Sequence, residues 1–331
     1  MTMMGRSIAV FGAALLMAAL CANPLLARDV TMEKIAYGGW PNCYKMSNGT
    51  IDLVVTTDVG PRIIRVGFEG ERDLFKEYPD MMGKTGGDEW RIYGGHRLWH
   101  SPEAMPRTYS PDNGPVQATP VGDALHVVQP PEPDTGIQKE MDIRMSADEA
   151  RVRVTHRLRN TGLWPVELAV WSLSVMAPGG RAIIPQPVKT DPAHLLPNRV
   201  LALWPYTDTM DPRLHLGTKY IILRQDANAT GPIKIGINDN EGWGAYVNDG
   251  YMFLKKFHYV EGANYPDFGA SLETYTNPEM LELESLGPLT TLQPGDEIEH
   301  VEQWFLFKDV QATDEDSVDA NVLPKVKAAG Q

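Results

Sequence analysis

The stretch ARVRVTHRLRNTG alternates strictly. Val152, Val154, His156 and Leu158 fall on one side, Arg151, Arg153, Arg157 and Arg159 on the other. Successive side chains of an extended chain point to opposite faces, so such a run forms a strand with one buried and one solvated face. The same signal recurs in TIDLVVTTDVGPRIIRVGFEG, VELAVWSLSVMAPGG, KYIILR, IKIGIN, GYMFLKKFHYV, EMLELESL and EIEHVEQWFLF, each bounded by Gly, Pro, Asn or Asp. No helical stripe of similar length is present; short helices are expected only near Pro192–Leu196 and after Thr313. With 30 Gly and 26 Pro to make turns, the pattern predicts an all-β chain of large antiparallel sheets stacked as a sandwich.

Arg6 followed by the apolar run Ile8–Leu20 reads as a secretory signal peptide, and the run is short for a membrane span. The expected organisation is a leader over 1–27, a single β domain over 28–311 and a polar, frayed tail over 312–331. The mature protein is then periplasmic or secreted, and no later segment is apolar enough to cross a membrane. Cys43 becomes the only mature cysteine, so no internal disulfide forms and the thiol reads as a small buried hydrophobe. The net charge of -13 argues against a nucleic-acid partner. No phosphate-binding glycine loop or serine-hydrolase elbow occurs, and no cofactor is expected.

Two stretches concentrate chemistry. In EMLELESLGPLTTLQPGDEIEHVEQWFLF, Glu282 and Glu284 share one face of a first strand, while Ile298, His300, Glu302, Trp304 and Leu306 share one face of a second. If these two strands pair, carboxylates and an imidazole meet on one surface, as a general acid and base or as a structural ion pair. In YGGHRLWHSPE, Gly94–Gly95 permit close backbone approach, Trp99 offers a flat apolar face, and His96, Arg97 and His100 offer hydrogen bonds. A sugar pocket needs that mixture. A metal held by His96, His100 and Glu103 would need a helix, which the glycine pair and Pro102 oppose, so no metal is expected. His156 on its apolar face reads as a core histidine, and the arginine ladder as a solvated strand face.

GPRIIRVGF, YGGHRLW, HRLRNTGLWPVELAVWSLSVMAPGG and LELESLGPLTTLQPGDEIEHVEQWFLF, in that order across residues 35–308, resemble the galactose mutarotase-like, or aldose 1-epimerase-like, superfamily. More narrowly they resemble its uncharacterised bacterial DUF4380-type branch. The resemblance implies a β-supersandwich with a sugar site on its concave face, and ring opening by a glutamate base and a histidine acid. Glu284 matches the base, with Glu282 beside it. Trp171 and Ser172 stand where the acid histidine belongs, which leaves His96, His100 or His300 to supply the proton. In that reading Trp99 stacks on the ring, and Arg62, Arg97, Tyr109, Glu282 and Glu302 bind the substrate. The partner is a small sugar or oligosaccharide. The chain is then an exported carbohydrate-active enzyme, an isomerase or a lyase on a uronic acid. The alternative is a sugar-binding protein of the same fold that has lost the acid.

Overall fold

The computed structural model describes residues 29–330, so the expected leader lies outside the described residues. Two antiparallel sheets stack face to face, one of eleven strands and one of ten. The larger runs, edge to edge, through Thr31–Tyr37, Trp40–Ser47, Ile51–Thr56, Arg62–Phe68, Gly95–Ser101, Val166–Met176, Leu281–Leu286, Leu272–Thr276, Ile233–Ile237 and Leu201–Leu203, with Thr290–Leu292 paired to the start of Val166–Met176. The smaller runs through Leu214–Leu216, Tyr220–Arg224, Arg181–Pro185, Trp243–Asn248, Tyr251–Phe257, Glu297–Phe307, Arg151–Asn160, Ile137–Met145, Ala124–Val128 and Gln117–Val121.

The period-two pattern explains the stacking. One face of each sheet supplies the shared core: Leu98, Val170, Leu283 and Ile235 from the larger, Val152, Val154, Phe253 and Trp304 from the smaller, all buried. The arginine ladder faces outward and pairs with acids; Arg157 lies 2.5 Å from Asp142 and 3.0 Å from Glu299. Such exposed pairs contribute little stability each. Cys43 is buried and free.

Two local expectations differ from the structure. Pro192–Leu196 is not helical, and Leu195 and Leu196 are exposed. The tail does not fray: the short helix expected after Thr313 is present as turns from Glu315 to Ala328, and it packs on the sheet. Asp314 caps the first turn by accepting the Ser317 amide at 2.9 Å. Val318, Val322 and Val326 recur every four residues and pack on the outer face of the smaller sheet, against residues such as Leu254 and Phe305. The polar residues between them hid this stripe.

The strands Leu281–Leu286 and Glu297–Phe307, expected to pair, belong to different sheets. Leu281–Leu286 pairs with Val166–Met176 and Leu272–Thr276. Glu297–Phe307 pairs with Tyr251–Phe257 and Arg151–Asn160. The two therefore face each other across the core instead of lying side by side.

Candidate functional site

The larger sheet is buried on both sides at its centre, and its second face is chemically unlike the core. Cross-strand register builds it in rows. Lys234 lies opposite Tyr275, which lies opposite Glu282. In the next row Glu273 is opposite Glu284, Glu284 opposite Leu173, and Leu173 opposite Arg97. In the third, Leu286 is opposite Trp171 and Trp171 opposite Trp99. This face floors a cleft of about 650 Å³, walled by Trp90, Tyr109 and Tyr206 from the connecting loops.

Charge on the floor is paired and sandwiched between aromatic rings. Arg97 Nη1 lies 2.8 Å from Glu282 Oε1, with the guanidinium over Trp99 and Trp90. Lys234 Nζ lies 2.9 Å from Glu273 and 3.1 Å from Glu284, over the rings of Trp171 and Trp204. The Trp171 indole N–H donates to Glu284 Oε2 at 2.9 Å. Burial pushes the Glu284 and Glu273 carboxyls above the usual range, against the pull of Lys234. Burial alone would lower Lys234, but Glu273 and Glu284 outweigh it and hold the ammonium charged.

Glu282, Arg97, Trp99 and Tyr109 line the cleft as a sugar pocket would require. Glu284 shares their face but is fully buried, beside Trp171 and Lys234. Arg62 does not reach the cleft. It is fully buried as a strut, donating to the carbonyls of Ile92 and Gly94 at 2.9 and 2.7 Å and to Asp112 at 2.7 Å. The glycine pair serves the backbone too. A Cβ on Gly94 would sit 1.9 Å from the Lys76 carbonyl oxygen, and one on Gly95 2.4 Å from that of Ile63.

The expected histidines and Glu302 lie between the sheets, His96 and His100 on the inner face of the larger and His300 and Glu302 on that of the smaller. Gly95–Ser101 is a strand, so Arg97 and Trp99 face the cleft while His96 and His100 face the core. His100 Nε2 is 3.3 Å from Glu132, which Lys139 also contacts at 2.5 Å. Burial pushes Glu132 up, yet Lys139 and His100 outweigh it and hold it at about 2.

The remaining three histidines of the core meet Glu302 and Lys255; burial disfavours their charged forms, and for neutral rings the partners assign the protons. His156 Nδ1 faces the His300 carbonyl at 3.0 Å and must donate, so its Nε2 carries a lone pair. His96 Nε2, 2.8 Å away, donates to that lone pair, and its Nδ1 accepts from Ser174 at 2.9 Å. Ser285 gives its hydroxyl proton to Glu302 at 2.6 Å, so His300 Nε2 donates to Ser285 at 2.7 Å. Glu302 also accepts from Trp304 and Ser172 and pairs with Lys255 at 2.9 Å. Burial lowers each imidazole, His300 to about 3. Among the described residues, His96, His156 and Glu302 form the one grouping with metal-ligand spacing, their ligand atoms within 4.8 Å. Glu302 turns Oε2 toward His96 Nε2 at 3.9 Å and Oε1 toward Lys255 at 2.9 Å.

No protein-family model and no curated protein matches the chain. Solved structures do. A candidate aldose 1-epimerase from Klebsiella pneumoniae superposes with a TM-score of 0.57 at 12% identity, covering 91% of this chain and 88% of its own. A candidate mutarotase from Salmonella typhimurium gives 0.53 at 9% identity, over 86% and 95%. A candidate aldose 1-epimerase from Escherichia coli gives 0.51 at 13% identity, over 81% and 99%. At such identities the likeness establishes the fold, a mutarotase-like β-sandwich.

Proposed function

We propose that the protein binds a sugar ring in the cleft on the outer face of the larger sheet and exchanges its anomers by aldose-epimerase-type proton transfer. The observation that carries this reading is the company of Glu282 and Lys234, an acid and a cation that line the same aromatic-walled space. The partly exposed rings of Trp90, Tyr109 and Tyr206 give apolar surface for the C–H face of a sugar. The sugar-related fold of the structural neighbours supports the same class of ligand.

In this reading Glu282 takes the proton of the anomeric hydroxyl. The C1–O1 bond becomes a carbonyl and the bond from C1 to the ring oxygen breaks. Water in the cleft protonates that oxygen, while the Lys234 ammonium, held charged by Glu273 and Glu284, stabilises the negative charge that develops on it. After rotation about C1–C2 the ring closes on the other face and both protons return. Glu282 replaces Glu284 as the proposed base because it reaches the cleft. Glu284 becomes a positioning residue that holds Lys234 and the Trp171 indole. The location outside the cytoplasm rests on Arg6 and the apolar run after it, and the narrower DUF4380-type kinship on the motifs alone.

The test is proton NMR of anomer exchange across a panel of aldoses. Glu282→Gln is expected to slow exchange by about a hundredfold or more while ligand line broadening persists. Full exchange in that variant would refute the assignment. One observation favours a second reading, binding without chemistry: among the described residues that line the cleft, none is a histidine. Line broadening with no exchange in the wild type would decide for it.

A further inference from the structure

The charge around the cleft specifies what kind of saccharide it takes. Six ionisable carboxylate or basic groups line it: Asp80, Glu103, Glu279 and Glu282 against Arg97 and Lys234. Neither cation is free. Arg97 is taken by Glu282, and Lys234 by Glu273 and Glu284. Both are also enclosed by rings, Arg97 by Trp99 and Trp90, Lys234 by Trp171 and Trp204. Asp80, Glu103 and Glu279 are exposed at the rim, with no ion-pair partner among the described residues. Glu103 accepts the Tyr109 hydroxyl.

An acidic sugar entering this space must displace a carboxylate from Arg97 or Lys234, and it meets the rim carboxylates on the way. Like-charge juxtaposition of that kind is strongly unfavourable, and low-dielectric walls amplify it. An amine on the ring meets the reverse situation, with carboxylates at the mouth and aromatic faces inside.

We infer that the cleft selects an amino-bearing saccharide over an acidic one, with uncharged rings between them. This rests on the cleft being the sugar site, and it removes the uronic-acid lyase from the alternatives. The test is titration calorimetry of the full chain with three oligosaccharides of equal length, built from glucosamine, N-acetylglucosamine and galacturonate. At low salt the amine form is expected to bind at least about tenfold more tightly than the uronate. The gap should narrow in 0.5 M salt, about where screening becomes complete over a few ångströms. It should also narrow in the Glu103→Gln/Glu279→Gln double variant, whose sites are exposed and tolerate change. Uronate binding as tight as the amine, or a gap indifferent to salt and to the variant, would overturn the inference while leaving the sugar cleft intact. Failure of all three to bind, with line broadening absent for simple aldoses, would remove the sugar cleft itself and this inference with it.

Discussion

Lys234 Nζ lies 3.1 Å from Glu284 Oε2, and the Trp171 indole N–H donates to the same oxygen from 2.9 Å. A fully buried carboxylate thus holds one cation and one ring of the cleft floor in place. The arrangement is expensive to break from one side. Lys234→Met leaves Glu273 and Glu284 buried together without a counter-charge and should lower stability by about 3–5 kcal/mol. Lys234→Met/Glu284→Gln should cost less than the sum of its two single changes. Urea unfolding of the four proteins measures the coupling, and strict additivity would show that the pair does not act as a unit.

The three imidazoles between the sheets should be neutral at pH 7, because burial lowers all three. As neutral rings, His96 and His300 should carry the proton on Nε2 and His156 on Nδ1, with the His300 carbonyl accepting from His156 and Ser285 donating to Glu302. Nitrogen-15 NMR of labelled histidine reads both tautomer and charge. An imidazolium signal from any of the three at pH 7, or the reverse tautomers, would contradict the assignment.

Acid stability should depend on two opposing sets of groups. Burial depresses His96, His156 and His300, so the unfolded chain binds more protons than the folded one as pH falls below about 6.5. Their contribution is present above that value and declines on acidification. Asp73 has the opposite sign. Burial raises it to about 8 despite two backbone N–H donors, from Val66 and Phe75. Its contribution is full below 3.8 and is lost as pH rises through 8. Asp73→Asn should therefore make stability fall more steeply between pH 7 and 5, by an added ~1.4 kcal/mol per pH unit. Equal slopes in wild type and variant would mean that Asp73 is ionised throughout.

The tail should contribute to stability through its buried stripe. Val322→Ala, at a fully buried position, should cost roughly 1–3 kcal/mol in chemical denaturation. A change below a few tenths would mean that the turns after Glu315 do not pack as described.

Much of this was readable in the chain, and the rest was lost for identifiable reasons. Strict alternation in ARVRVTHRLRNTG announced a sheet with one wet face, and the outward arginines with their acidic partners bear that out. Alternation also held the answer for YGGHRLWHSPE. Even and odd positions of one strand cannot share a pocket, so Trp99 and Arg97 exclude His96 and His100 from the cleft. Treating the stretch as one lining hid that parity. Lys234 went unnoticed because IKIGIN reads as a core strand. Its isoleucines do face the core, and the lysine between them projects from the second buried face. Strand pairing was the deeper difficulty. His300 and Glu302 were placed beside Glu282 and Glu284 because they are near in sequence. Local pattern carries no information about which of two sheets a strand will join.

The most direct test of the central claim, that a sugar ring occupies the outer face of the larger sheet, is a crystal structure of the protein with an aldose or a glucosamine oligosaccharide. The account predicts a ring against Trp90, Tyr109 and Tyr206, with its anomeric hydroxyl within hydrogen-bonding distance of Glu282 and its ring oxygen toward Lys234. A ring bound elsewhere, with the cleft between Trp99 and Tyr275 left to solvent, would contradict it.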